Sequence, residues 1–229
     1  MLDYELEMGL FIGPGTDLGT PVSCDAARGH ILGLVLVNDW SARDVQKYEY
    51  VPLGPFNAKN FATSVSPWVV TLDALEPFKE VAAAQDIAQV APYLSHGGGV
   101  QRTTFAIDLE ATIAPEAHPN VETVVTRSNF RNLYWTIDQM VAHQTATGCN
   151  LCTGDLLATG TISGEAEESR ACLLEKSWAG SVAFALDSGE ERTYLSDGDR
   201  VTLRAKAGGP TSGVGFGACV GKVLPALAG

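Results

Sequence analysis

Leu2, Tyr4, Leu6 and Met8 alternate with Asp3, Glu5 and Glu7 at the start of the chain. Apolar and polar positions repeating every second residue predict a β-strand, and Gly13-Pro14-Gly15 ends it in a turn. Residues 31–37 are an unbroken apolar run that stops at Asn38-Asp39, the pattern of a buried strand. Ser41-Ala42-Arg43-Asp44 then has the form of a capping box opening a short helix. Residues 67–72 predict a further apolar strand, and residues 104–113 alternate cleanly as another. Helical spacing is clearest over residues 128–144. Phe130, Leu133, Tyr134, Ile137, Met140 and Val141 share one broad face there, and Gly148 follows as a stop. Strands are expected again at residues 156–162, 182–186 and 200–205. Residues 74–103 carry prolines and three consecutive glycines and read as a long surface excursion. No internal repeat interrupts this order. The fold class expected is mixed, mainly β with few helices, as one domain over residues 1–229.

Composition narrows the class. Hydrophobic residues are 45% of the chain and charged residues 18%, which suits a globular fold and excludes a disordered one. A net charge of −12 leaves no basic patch to neutralise phosphates, so nucleic acid and anionic membranes are not expected as partners. The charge accommodates a bound cation, but an acidic surface explains it equally. Cys24, Cys149, Cys152, Cys172 and Cys219 are odd in number and scattered, and the N-terminus lacks a signal-peptide pattern. Free thiols in a reducing cytoplasm are the expectation. Cys149-Asn150-Leu151-Cys152 has the C-x-x-C form without a second pair, and its flanking Gly148 and Gly154 suggest a loop.

The chemistry concentrates in acids. Glu5 and Glu7 stand two apart in an alternating strand and so point to one face. Paired carboxylates must be solvated, protonated or bridged by a cation, and hard cations such as Ca²⁺ or Mg²⁺ take oxygen ligands of this kind. Asp108 and Glu110 share the spacing with no other sign of a site, so spacing alone leaves a solvated face open. Asp39 ends a very apolar strand beside a helix start, as a functional carboxylate or as an N-cap. From Asp39, Arg43, Gln46 and Tyr50 recur at intervals of three and four, which would align a cation, an amide and a phenol on one helical face. Lys59 and Thr63 follow a glycine-flanked turn. Gly160-Thr161-Ile162-Ser163-Gly164 is a small-residue segment whose backbone N–H groups can approach a ligand closely.

Longer motifs bind these segments together. Asp3-Tyr4-Glu5-Leu6-Glu7-Met8 is followed by Val37-Asn38-Asp39-Trp40-Ser41-Ala42-Arg43-Asp44, Glu49-Tyr50-Val51-Pro52-Leu53-Gly54-Pro55-Phe56 and Ser66-Pro67-Trp68-Val69-Val70. Later come Arg127-Ser128-Asn129-Phe130, Tyr134-Trp135-Thr136-Ile137, the segment from Gly154 to Gly164, Val214-Gly215-Phe216-Gly217 and Gly221-Lys222-Val223-Leu224-Pro225. Over nearly its whole length the chain resembles the fumarylacetoacetase (fumarylacetoacetate hydrolase) family, in its C-terminal catalytic domain.

The resemblance implies a β-roll or β-sandwich domain that acts on a small diketo acid, hydrolysing fumarylacetoacetate to fumarate and acetoacetate in tyrosine and phenylalanine catabolism. It implies Ca²⁺ as catalytic metal, with Glu5, Glu7 and Asp39 among its ligands, and a structural Mg²⁺ near Asp39, Lys59 and Thr63. It further implies substrate contacts from Gln46, Tyr50 and Thr161, and stabilisation of developing negative charge by Arg43, Gln46 and Lys59. Glu175 corresponds to the acid that orients the catalytic histidine, and a cytoplasmic homodimer is expected. The family's general-base histidine, a further metal aspartate, two substrate groups and a small barrel-like domain lie well upstream of the Glu-Leu-Glu strand. None of His30, His96, His118 or His143 lies in a segment resembling that of the base. Hydrolysis by these 229 residues alone is therefore expected to be impaired. The alternatives are another hydrolase or decarboxylase of acylpyruvate-like β-keto acids, or an inactive metal-binding fragment.

Overall fold

The computed structural model describes residues 1–209 and 211–227. Two antiparallel sheets carry the fold. The strands are β1 (Leu6–Ile12), β2 (Ile31–Asp39), β3 (Thr63–Val65), β4 (Val70–Thr71), β5 (Ile107–Ala114), β6 (Thr123–Asn129), β7 (Leu156–Ala158), β8 (Arg200–Ala207) and β9 (Val214–Lys222). The first sheet runs β7-β1-β2-β3, with β4 also paired to β2, and the second runs β6-β5-β8-β9. Short ribbons join Leu2–Asp3 to Ser41–Ala42 and Lys79–Val81 to Thr103–Phe105. The helices are α1 (Arg43–Glu49), α2 (Leu72–Leu75), α3 (Ile137–Thr145) and α4 (Leu173–Lys176). No helix among the described residues is long and apolar enough to cross a membrane.

Register explains the core. Leu6 pairs with Asn38, Met8 with Leu36 and Leu10 with Leu34, so these leucines and the methionine share one face. That face joins Leu109, Ala111, Ile113, Leu203 and Phe216 of the second sheet in one buried cluster. Tyr4 spans the layers, its hydroxyl donating to Thr126 Oγ1 at 2.7 Å while Thr126 donates to the Arg170 carbonyl. The opposite face of β1 and β2 is also dry. Glu7 pairs with Val37 and Gly9 with Val35, and both valines are fully covered. A strand run enclosed on both sides reads as continuous apolar sequence, as residues 31–37 do.

Several elements differ from the pattern in the sequence. Ser41 caps nothing: α1 starts at Arg43 after Ala42, whose side chain cannot cap, and Ser41 lies in a short strand with its hydroxyl on the Asp39 carbonyl. The strand expected over residues 67–72 shrinks to β4, because Pro67, Trp68 and Val69 are exposed and Leu72 opens α2. The long helix over residues 128–144 is three elements. Its first residues end β6, Phe130–Asn132 form a 3-10 turn, and α3 starts only at the true capping box of Thr136 and Gln139. The apolar face of Phe130 and Leu133 serves a turn packed on the core, not a helix. Residues 104–113 are split at Ala106 between two strands with different partners. The strands expected at residues 156–162 and 182–186 contract to β7 and Phe184–Ala185. Strand β9, rich in glycine, carries too weak an alternation to be read from sequence.

Gly33 in β2 lies directly under β4, and a Cβ there would fall on the Val70 carbonyl oxygen. Gly29 has open space around its Cα. Gly33→Ala is expected to destabilise the fold by about 1–3 kcal/mol in denaturant unfolding, whereas Gly29→Ala should stay within about 0.5 kcal/mol of the parent. Equal midpoints for the two variants would contradict this packing.

Candidate active site

The carboxylates of Glu5, Glu7 and Asp39 converge, with one oxygen from each lying within 4.8 Å of the others. Strand alternation puts Glu5 and Glu7 on one face, and the end of β2 brings Asp39 beside them, its N–H donating to the Glu5 carbonyl at 3.3 Å. Asp108 and Glu110, with the same spacing, take the outer face of β5, where Asn129 and Arg127 meet them near solvent. Burial separates the two pairs. Glu5 is 8% exposed and Glu7 only 2%.

Two cations compensate part of this charge. Lys59 Nζ lies 2.6 Å from Glu5 Oε2 and 2.8 Å from Asp39 Oδ2. Arg43 Nη1 lies 2.6 Å from the other Glu5 oxygen, its Nε donates to Asp3 Oδ2 at 2.9 Å, and Nη1 also donates to Gln46 Oε1 at 2.9 Å. Burial works to raise the Glu5 pKa, but Lys59 and Arg43 outweigh it and hold the carboxyl below its ordinary value. Glu7 has no cation partner among the described residues. Burial first, then the charges of Glu5 and Asp39, push it up to about 8, against one N–H from Gly160 at 3.0 Å and the more distant charge of Lys59. Gly160 adopts φ +78, which lets the chain turn its amide toward that oxygen. Three hard oxygen donors, one of them lacking a countercharge, fit a divalent cation such as Ca²⁺ or Mg²⁺.

Glu175 stands on α4, where its Oε2 accepts a short hydrogen bond from Ser163 and one from the Cys172 thiol at 3.3 Å. Cys172 is bridged to Glu5 through the backbone, which ties α4 to the carboxylate strand. His30, His96 and His143 spend their hydrogen bonds on Pro14, Asp25 and Tyr93, away from Glu175. Gln46 is held through Arg43, yet Asp39 is not on the same helix, because it ends β2 and α1 begins at Arg43. Tyr50 closes α1 half-exposed, Thr63 lies opposite Asp39 in the β2–β3 ladder, and Thr161 follows Gly160. No side-chain hydrogen bond links these three to the cluster among the described residues. Lys59 engages the acids through a protonated amine, so only its backbone carbonyl could serve a metal.

Three further residues shape the site without a site role assigned from sequence. Asp3 is fully buried, Asn38 accepts the Glu5 N–H, and Cys172 stands between Glu5 and Glu175. Asp3 shares the alternation that marked Glu5 and Glu7, and that was its one local signal.

Residues 1–224 match the family model described as "Fumarylacetoacetate (FAA) hydrolase C-terminal". Fumarylacetoacetase of Arabidopsis thaliana is 51% identical over 224 residues, covering 98% of this chain and 52% of the relative. The Bos taurus enzyme is 50% identical, covering 99% and 53%. The chain thus spans about half the length of these relatives. Among solved structures, a fumarylacetoacetate hydrolase from Exiguobacterium antarcticum superposes with TM-score 0.53 at 20% identity, covering 97% of this chain and 56% of the other. A maleylpyruvate hydrolase from Sphingobium sp. SYK-6, bound to manganese(II) and pyruvate, gives TM-score 0.53 at 18% identity, covering 97% and 54%. At those identities the likeness concerns the fold. With its acids, cations and sheets in place, the chain belongs to the fumarylacetoacetate hydrolase family, in that family's C-terminal domain.

Proposed function

We propose that this chain is a catalytic domain, over residues 1–229, for hydrolytic cleavage of the C–C bond of fumarylacetoacetate to fumarate and acetoacetate. The observation that carries the reading is the buried set of Glu5, Glu7 and Asp39 facing Lys59 and Arg43, in a chain about half identical to fumarylacetoacetases. The three carboxylates are assigned to a catalytic Ca²⁺, and a Mg²⁺ is assigned beside Asp39, Lys59 and Thr63. A divalent ion there would polarise the diketone oxygens as a Lewis acid.

The chain's own residues supply the rest. Cleavage beside a carbonyl leaves an enolate-like group whose charge needs donors already fixed in place. Arg43 is charged, 5% exposed, and keeps Nη2 buried without a partner among the described residues. Lys59 and the Gln46 amide stand beside it. Tyr50, at the end of α1, and Thr161, next to Gly160, are assigned as substrate contacts. Glu175 Oε2 is held by Ser163 and Cys172, which fits a carboxylate that orients the imidazole taking the proton from water. Tyr48, Val51, Leu53, Phe56 and Trp68 are exposed, which suits association as a homodimer. Five free cysteines fit the cytoplasm.

Cation binding and the Glu7 proton compete, with a definite sign. The folded state keeps a proton on Glu7 that the unfolded chain releases above its ordinary value of 4.5. In a chelator, this group's contribution to stability is therefore full at acid pH and declines as pH rises from 4.5 toward about 8. Denaturant titrations across that window should show the decline, and Glu7→Gln should flatten it. Excess Ca²⁺ or Mg²⁺ should raise the melting temperature, and Glu5→Gln, Glu7→Gln and Asp39→Asn should each abolish the rise. A melting temperature indifferent to both ions would contradict the metal assignment.

The activity reading is tested by supplying the purified chain, with Ca²⁺ and Mg²⁺, with fumarylacetoacetate or an acylpyruvate. Preference for fumarylacetoacetate, and a loss of about 10²-fold or more on Glu7→Gln, are expected. Faster turnover of the acylpyruvate would favour a related β-keto-acid hydrolase. Because turnover by these 229 residues alone is expected to be weak, turnover of neither by folded, cation-responsive protein would favour the inactive metal-binding fragment, and rapid turnover would contradict the expected impairment.

A further inference from the structure

We propose that Asp3 is a positioning residue that locks Arg43 and the helix carrying Glu175 to one another, and so sets both poles of the site from a single buried carboxylate. The proposal rests on the reading above for what Arg43 and Glu175 do, but not for how they are held.

Three donors converge on Asp3, which is fully buried. Oδ1 accepts the Leu173 N–H at 2.7 Å. Oδ2 accepts the Leu174 N–H at 2.9 Å and Arg43 Nε at 2.9 Å. Leu173 and Leu174 open α4, whose own N-cap, Cys172, makes no capping hydrogen bond. A helix of four residues has no independent stability, since nucleation costs more than its few bonds return. Its direction, and with it the Glu175 side chain two residues on, is therefore set by its anchors. Ser163 holds the Glu175 carboxylate itself, and Asp3 anchors the first two N–H groups of the helix, from 170 residues away in sequence.

The same carboxylate fixes the guanidinium. Arg43 is planar, so holding Nε on Asp3 and Nη1 on Glu5 and Gln46 leaves no freedom in where Nη2 points. Nη2 is the buried nitrogen without a partner. The ribbon pairing Asp3 with Ser41 delivers Arg43 to this place two residues later. Removing the Asp3 charge would free the guanidinium to rotate about Glu5 and would loosen α4 at the same time.

A capping role alone makes a different forecast. Asparagine keeps one of the two oxygens that accept the helix N–H groups, so if Asp3 only capped α4, Asp3→Asn would weaken the helix start and leave exchange at Arg43 Nε–H as slow as in the parent. If Asp3 positions Arg43, Asp3→Asn replaces the anion facing Nε with an amide and the lock opens. The primary readout is hydrogen exchange at Arg43 Nε–H, followed by side-chain ¹⁵N NMR on the 229-residue chain and assigned with Arg43→Lys. In the parent protein it should exchange at least about tenfold more slowly than Nε–H of exposed Arg127, and Asp3→Asn should erase the difference. Exchange in the parent as fast as at Arg127 overturns the proposal, and that measurement needs no variant to fold. Where fumarylacetoacetate is cleaved, Asp3→Asn should lower kcat about 10²-fold with KM nearly unchanged, the signature of a misplaced rather than missing group. An unchanged kcat in folded Asp3→Asn overturns it as well. Absence of turnover in the parent bears only on the proposed reaction, because the exchange experiment decides this inference without it.

Discussion

Like-charge repulsion in a dry place is the constraint around which the site is built. Asp3, Glu5, Glu7 and Asp39 gather near one sheet face, and the first three are buried. Two unit charges about 4 Å apart interact by roughly 4 kcal/mol at the effective dielectric of a protein surface, and by more in its interior. Each acid meets this differently. Asp3 takes two helix N–H groups and Arg43, Glu5 takes Arg43 and Lys59, and Asp39 shares Lys59. Glu7 is left with one backbone N–H and a proton. The compensation is incomplete at one corner, and that corner is where a cation has most to gain.

Such a cluster has no reason to exist for stability. Desolvating ion pairs costs several kcal/mol per charge, and buried pairs often do no better than apolar residues of the same size. The stabilising burial lies on the opposite face of β1, where Leu6, Met8 and Leu10 meet the second sheet. One strand thus carries structure on one side and chemistry on the other. Its rigidity comes from the apolar side, and the acids inherit it.

How much of this is legible in sequence follows from what is local. The alternation of residues 2–8 and the apolar run of residues 31–37 show both site strands and place Glu5 and Glu7 on one face. They cannot show which face is dry, and Asp108 and Glu110 have the same spacing on a solvated one. The difference is made by Lys59, Gly160 and Cys172, brought from elsewhere in the chain. The capping box expected at Ser41 does not form, and the one that does form lies inside the stretch that reads as a continuous helix over residues 128–144. Thr136 and Gln139 carry the capping-box pattern and form it, whereas Ser41 carries the pattern but is drawn into a ribbon with Asp3. Tertiary pairing outweighs a local cap when a strand partner is available.

The order in which these contacts can form follows from their separation along the chain. β1 and β2 pair across the connection of residues 13–30, and α1 follows β2 directly, so Glu5, Asp39, Arg43 and Lys59 can meet once the N-terminal part of the chain, through Lys59, has folded. Gly160, Cys172 and α4 arrive from more than a hundred residues away, where loop closure must be offset before contact is rewarded. Until they arrive, Glu7 lacks its amide and Asp3 two of its three donors. The cationic side of the site therefore depends on the N-terminal part of the chain, while the parts carrying Glu175 and the Glu7 amide depend on the completed fold. A substitution that weakens long-range packing should reach the site through α4 and Gly160 before it disturbs Lys59 and Asp39.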